Sequence, residues 1–361
     1  MEIPKYTRFL YEVKDVKASL LVCLLKKDTE NTIFWVNELY LFDKNECWNY
    51  IYEIYFNFYG YYTPKGERLI NDLYSQQYDL IDAIFIICRN MIDWTADPRI
   101  FLIYQAYKQV YPISSTYKGA IKTWMKDYDI KYRNLLRSLD KQNFYNLAYY
   151  LSCLTYNSTN VEDIFNLLCK YYSTQKGYNV NCTDAFNHIV NDCFYENKLH
   201  IVISVFLYLT IEETEINTCK IEREKQFDEL GIFKLIDDFK GIKVNNILEE
   251  KRIPIELDVN YFKRTIIDSN EWTQYIGNCE WWNKKIKKYN GEYTIKGVIF
   301  KDDISSKKFL KKLDFITKSN KDLFILNRVD YKVVDWKNFI KKYFNYNDEF
   351  IPFPPQFKFE I

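Results

Sequence analysis

Residues 15–59 read DVKASLLVCLLKKDTENTIFWVNELYLFDKNECWNYIYEIYFNFY. Trp48, Ile51, Tyr52, Tyr55 and Tyr59 fall at i, i+3, i+4, i+7 and i+11, which is one face of a helix. The run before them is apolar and leucine-rich, and Asp28-Thr29 punctuates it with side-chain oxygens that can cap a helix N-terminus. A wide aromatic face cannot be left in water, so such helices must pack on other helices. The stretch therefore predicts a mainly α protein.

The same spacing recurs outward from this block. Val161, Ile164, Phe165, Leu168 and Tyr172 repeat it, as do Phe186, Ile189, Val190, Cys193 and Phe194. Pro64 and Pro98 stand where a first helical turn tolerates a missing N–H, and Thr159-Asn160 offers another cap. Helices are predicted near 15–27, 29–43, 45–59, 65–76, 78–92, 97–110, 117–127, 130–138, 141–156, 160–175, 183–195, 198–210 and 222–240. Short links between them imply antiparallel neighbours. Two arrangements fit: stacked helical hairpins of a loosely HEAT-like kind, and an irregular helical array. No repeat period is regular enough to choose between them.

After Gly241 the texture changes. Residues 241–258 read as a boundary, and 259–349 as a smaller basic subdomain of α or α+β type. Helical stretches at Asn260–Ile267, Ser305–Thr317 and Asp335–Phe344 mix there with strand candidates at Tyr293–Phe300 and Leu323–Val329. The final segment, FIPFPPQFKFEI over 350–361, has three prolines and cannot be helical. Its Phe350, Phe353 and Phe357 are candidate docking residues for a partner groove, or a strap over the protein's own surface.

The 361 residues are 48% hydrophobic and 19% aromatic, which excludes global disorder. Net charge is +1, so bulk charge does not make the whole chain a polyanion binder. The charge is uneven, however: residues 271–345 carry 17 Lys+Arg against 9 Asp+Glu. Nine cysteines, an odd number with no C-x-x-C, lie largely in apolar patterns such as LLVCLL around Cys23. Buried thiols in a reducing compartment account for them better than a disulfide framework. MEIPKYTRF lacks the apolar core of a signal peptide, and the apolar run IVISVFLYL at 201–209 is about half a membrane span. No membrane association and a cytosolic location are expected.

Motifs of catalysis are absent from the sequence. His188 and His200 lack H-E-x-x-H spacing, and neither G-x-x-x-x-G-K-[ST] nor G-x-G-x-x-G occurs. The carboxylate pairs Glu212-Glu213, Asp237-Asp238, Glu249-Glu250 and Asp302-Asp303 read as solvated faces or helix ends. No catalytic residue, metal or cofactor is expected. One segment has binding texture: EWWNKKIKKYNGEY, residues 280–293. Lysines neutralise phosphates and aromatic faces stack bases, so Trp281, Trp282, Lys284, Lys285, Lys287, Lys288 and Tyr289 are candidate contacts for single-stranded nucleic acid or an acidic partner. A solvated amphipathic helix is the competing reading. Adjacent tryptophans in a helix point about 100° apart, so one of the two is expected in the core.

The N-terminal block, residues 4–60, resembles a helical protein family of nucleocytoplasmic large DNA viruses. Phe34, Trp35, Glu38, Leu39 and Tyr40 match its F-W-x-x-E-L-Y helix. The chain departs from that pattern at Leu41-Phe42-Asp43-Lys44, where the family has a small-residue turn. The resemblance implies a viral origin and transfers no catalytic residue. Together these readings lead to a non-enzymatic scaffold that binds viral or host proteins, and RNA through the basic region, in a gene-expression complex of translation-initiation type. A minor structural or packaged virion protein is the alternative, and an enzyme assembled from distant residues the third.

Overall fold

The computed structural model describes residues 6–7, 11, 13–77, 80–108, 125–126, 128–141, 143–156, 161–175, 198–210, 267–268, 273, 280–294, 297–312, 315–317, 323–326, 340–341 and 343–344. Among them are twelve α-helices and five short strands, so the protein is mainly α. The chain divides into two compact units, each gathered from separated stretches. One comprises 1–50, 79–92 and 224–339; the other comprises 51–78, 93–223 and 340–361. The stretch 1–240, read from its periodicity as a helical array, contributes residues to both units. The boundary at 241–258 and the tail at 350–361 lie outside the described residues, as do the helices expected at 183–195 and 222–240 and the cap at Thr159-Asn160.

The first unit is built on α1 (Val13–Leu25) and α2 (Thr29–Phe42), packed together across a three-residue turn. Asp28 caps α2, its side chain accepting from the Asn31 backbone N–H at 3.1 Å. Every residue of α2 from Thr32 to Tyr40 is buried, including Glu38. A helix buried on all sides belongs at the centre of its unit. Trp35 meets Tyr11 at 5.0 Å and Phe34 at 4.9 Å between ring centroids, both edge to face. α3 (Lys44–Ile54) begins on Asp43, whose carboxylate accepts from the Glu46 N–H at 3.0 Å. Its Tyr50 hydroxyl donates to the Lys17 carbonyl at 2.8 Å, tying α3 to α1. α5 (Ile81–Asp93) rejoins this group: Arg89 Nη1 donates to Thr29 Oγ1 at 2.8 Å. Cys47 and Cys88 are buried here, and burial pushes both thiols well above their ordinary range.

In the second unit the aromatic run of α3 continues as a π turn, Tyr55–Tyr59. The spacing predicts ordinary helix to residue 59. Within the π turn Asn57 Nδ2 donates to the Glu53 carbonyl at 2.9 Å. The turn closes with Gly60 N–H donating to the Tyr55 carbonyl at 2.8 Å. Around it lie α4 (Gly66–Gln77), α6 (Arg99–Lys108), α7 (Ile130–Asp140), α8 (Phe144–Tyr156), α9 (Val161–Gln175) and α10 (Lys198–Thr210). Trp94 packs edge-on to Tyr55 and Tyr59. A Cβ on Gly66 would lie 2.6 Å from the Trp94 ring, so only glycine lets α4 start there. Phe58 stacks on Phe101 at 5.2 Å.

Candidate nucleic-acid interface

The segment with binding texture folds into a small αββα module within the first unit. α11 (Glu280–Lys288) leads through Tyr289 and Asn290 into strands β2 (Gly291–Thr294) and β3 (Gly297–Phe300), then α12 (Asp303–Lys312). Asn290 turns the chain with φ at 58°, a conformation asparagine tolerates better than most residues. The antiparallel hairpin pairs Gly291 with Phe300 and Thr294 with Gly297. A single strand is predicted over Tyr293–Phe300; the structure splits that run, with Gly297 at φ 109° opening the second strand. A separate small sheet orders its strands β1 (Ile267–Asp268), β5 (Leu323–Leu326) and β4 (Phe315–Thr317), all antiparallel. The helix predicted over Ser305–Thr317 therefore ends earlier, and Phe315–Thr317 is a strand.

Phe309 of α12 organises the module. It is fully buried, and its ring meets Phe300 at 5.0 Å, Tyr289 at 5.7 Å and Trp282 at 6.3 Å. Trp282 and Ile286, one turn apart on α11, are each 1% exposed. They form the apolar edge by which α11 sits on β2. The Phe300 ring lies over Gly291, where an added Cβ would come within 2.8 Å of it. α12 is capped by Asp302, which accepts from the Ser305 N–H at 2.6 Å and from its hydroxyl at 3.2 Å. Those hydrogen bonds hold the Asp302 carboxyl below its ordinary value. The pair Asp302-Asp303 is thus a helix start.

The lysines point the other way. With Trp282 and Ile286 inward, helical geometry turns Lys284, Lys287 and Lys288 to the opposite face, and all three are exposed; Lys285 is half-buried. Lys301, Lys307, Lys308 and Lys311 are exposed as well. Periodicity puts Lys307 and Lys311 opposite Phe309 on α12. Residues 280–312 hold ten lysines against four acidic residues. Two backbone hydrogen bonds of 3.0 Å connect the cluster: Asn290 N–H to the Lys287 carbonyl, and Lys301 N–H to the Asn290 carbonyl.

Of the sequence candidates, Trp282 is corrected. It is named among the candidate contacts, with one tryptophan of the pair expected in the core; its ring fills the module core and cannot stack on a base. Tyr289 is half-buried, its ring edge-on to Phe309. Trp281 belongs to α11, and its side chain lies outside the described set, as do Phe350, Phe353 and Phe357. Lys301, Lys307, Lys308 and Lys311 are further exposed lysines of the module that the sequence reading does not single out. Their signal was the K-x₅-K-K-x₂-K run beside a second amphipathic helix.

Elsewhere, polar groups serve the fold. Arg99 makes a bidentate pair with Asp97, Nε to Oδ1 at 3.0 Å and Nη2 to Oδ2 at 2.8 Å, and lies 4.1 Å over the Tyr61 ring. Burial works against its charge, but the hydrogen bonds and charge of Asp97 hold the guanidinium above its ordinary value. His200 is buried in α10 against Tyr104, with ring centroids 3.8 Å apart. His188 lies outside the described residues. Among the described residues no three His, Cys, Asp or Glu side chains converge as a metal set, and no helix is long and apolar enough to cross a membrane. None of the five described cysteines is in a disulfide. No protein-family model, curated protein or solved structure matches the chain.

Proposed function

We propose that the protein is a non-enzymatic helical scaffold of a large DNA virus, that it works in a gene-expression complex of translation-initiation type, and that α11 and α12 hold RNA there by its phosphates. The observation that carries the RNA part is the lysine face built over a fixed aromatic core. Lysine recognises phosphate as a compact point charge, and charges fixed on rigid helices lose less entropy on binding than charges on a floppy tail. The viral and translational parts rest on the resemblance of residues 4–60 and on the way helical proteins commonly organise such complexes. The helical units then carry partner proteins.

Changing Lys284, Lys285, Lys287 and Lys288 together to glutamine tests the RNA part. With a fluorescent RNA hairpin, anisotropy should show weaker binding and a salt dependence flattened by up to roughly four phosphate contacts. Circular dichroism should be unchanged, because the substituted side chains lie outside the apolar edge. Equal affinities and equal slopes would leave a protein-only scaffold. Co-purification from infected cells tests the rest: translation factors support the proposal, and capsid proteins alone would favour a packaged virion protein.

A further inference from the structure

We infer that the ligand of the lysine face is base-paired RNA, gripped along its backbone with no base stacked on the protein. This rests on the reading of the module as a phosphate-binding site, and it departs from the single-stranded ligand that the Trp/Tyr/Lys pattern suggests. Single-strand binders combine charge with exposed aromatic platforms, and stacking supplies about 1–3 kcal/mol per base by alanine substitution. Here the described rings are buried or half-buried. Trp282 and Phe309 are buried, while Tyr289, Tyr293 and Phe300 are half-buried, so no described aromatic ring of the module is exposed.

What remains outside is charge. Lys287, Lys288, Lys301, Lys307, Lys308 and Lys311 are all exposed. Phe309 holds α12 beside α11 by touching both Trp282 and Tyr289. The Lys287–Asn290–Lys301 hydrogen bonds fix the third basic element against the end of α11. A face of fixed point charges gains most from the ligand with the densest charge. A double helix carries one negative charge per about 1.7 Å of axis and a thicker condensed counterion layer than a single strand. Each neutralised phosphate therefore contributes a salt slope of about −0.9 on a duplex and about −0.7 on a strand. Lysine on the backbone reads no base edges, so the binding should be indifferent to sequence.

The test uses the full-length protein and anisotropy salt titrations on an RNA duplex of about 20 base pairs, on one of its strands unpaired, and on a scrambled duplex. The duplexes should bind alike, and roughly tenfold tighter than the strand near 0.1 M salt, with the steeper slope. Changing the six lysines to glutamine should flatten the duplex slope by up to about five. A variant lacking only Lys307, Lys308 and Lys311 should lose about half as much, and Trp281→Ala should leave duplex affinity unchanged. A strand bound as tightly as the duplex, or a tenfold loss of strand affinity in Trp281→Ala, overturns the duplex inference while leaving RNA binding intact. Lysine-dependent binding to phosphatidylserine vesicles with none to either RNA would overturn both.

Discussion

Replacing Trp48 by alanine should lower the free energy of unfolding by about 3–5 kcal/mol. The ring is 1% exposed and among the largest fully buried side chains. An aromatic side chain of this kind removes about 150–250 Å² from water, and truncation leaves a cavity that packed neighbours fill only in part. It stands on α3 next to Cys47, whose thiol donates to the Val36 carbonyl at 3.8 Å and so ties this part of α3 to α2. Urea unfolding followed by circular dichroism measures the effect. A loss under about 1 kcal/mol would mean that the first unit does not depend on this ring.

Phe309→Ala should cost a similar amount, about 3–5 kcal/mol, but confined to the module. One side chain joins both helices and β3, and the hairpin alone has only two short strands, too few for independent stability. Hydrogen exchange should therefore lose protection across 280–312 while total helicity barely changes. RNA affinity should fall although no lysine has been altered, because the lysines lose their fixed spacing. Phe309→Leu, which keeps most of the volume, should recover much of both. Intact protection in the alanine variant would contradict the role given to Phe309.

Much of the helical part is readable because its signals are local. The Trp48–Tyr59 spacing, the Asp28 cap and the apolar run at 201–209 each report a helix without reference to the rest of the chain; the last is α10. Where the outcome depended on distant partners, periodicity was silent. Nothing near Ile81 says that α5 returns to Thr29 through Arg89. Nothing in the tyrosine run says that the helix will widen into a π turn at Tyr55–Tyr59.

The site was half legible for the same reason. Lys284, Lys287 and Lys288 are visible as one face of a helix, and Trp281-Trp282 must diverge by about 100°. Trp282 turns inward onto Phe309, 27 residues on, which in turn meets Phe300 across the hairpin. The lysines of α12 were hidden because the run to Thr317 reads as one helix. Phe315–Thr317, three residues suited to a strand, pair with β5 instead, and α12 ends at Lys312.

The central claim is that RNA meets this protein on α11 and α12. Photo-cross-linking of a 4-thiouridine-substituted RNA hairpin to the full-length protein, followed by peptide mass spectrometry, tests it most directly. Adducts should concentrate on peptides from 280–312 and fade as salt is raised, as counterion release requires. Adducts confined to other parts of the chain, or adducts insensitive to salt, would contradict the account.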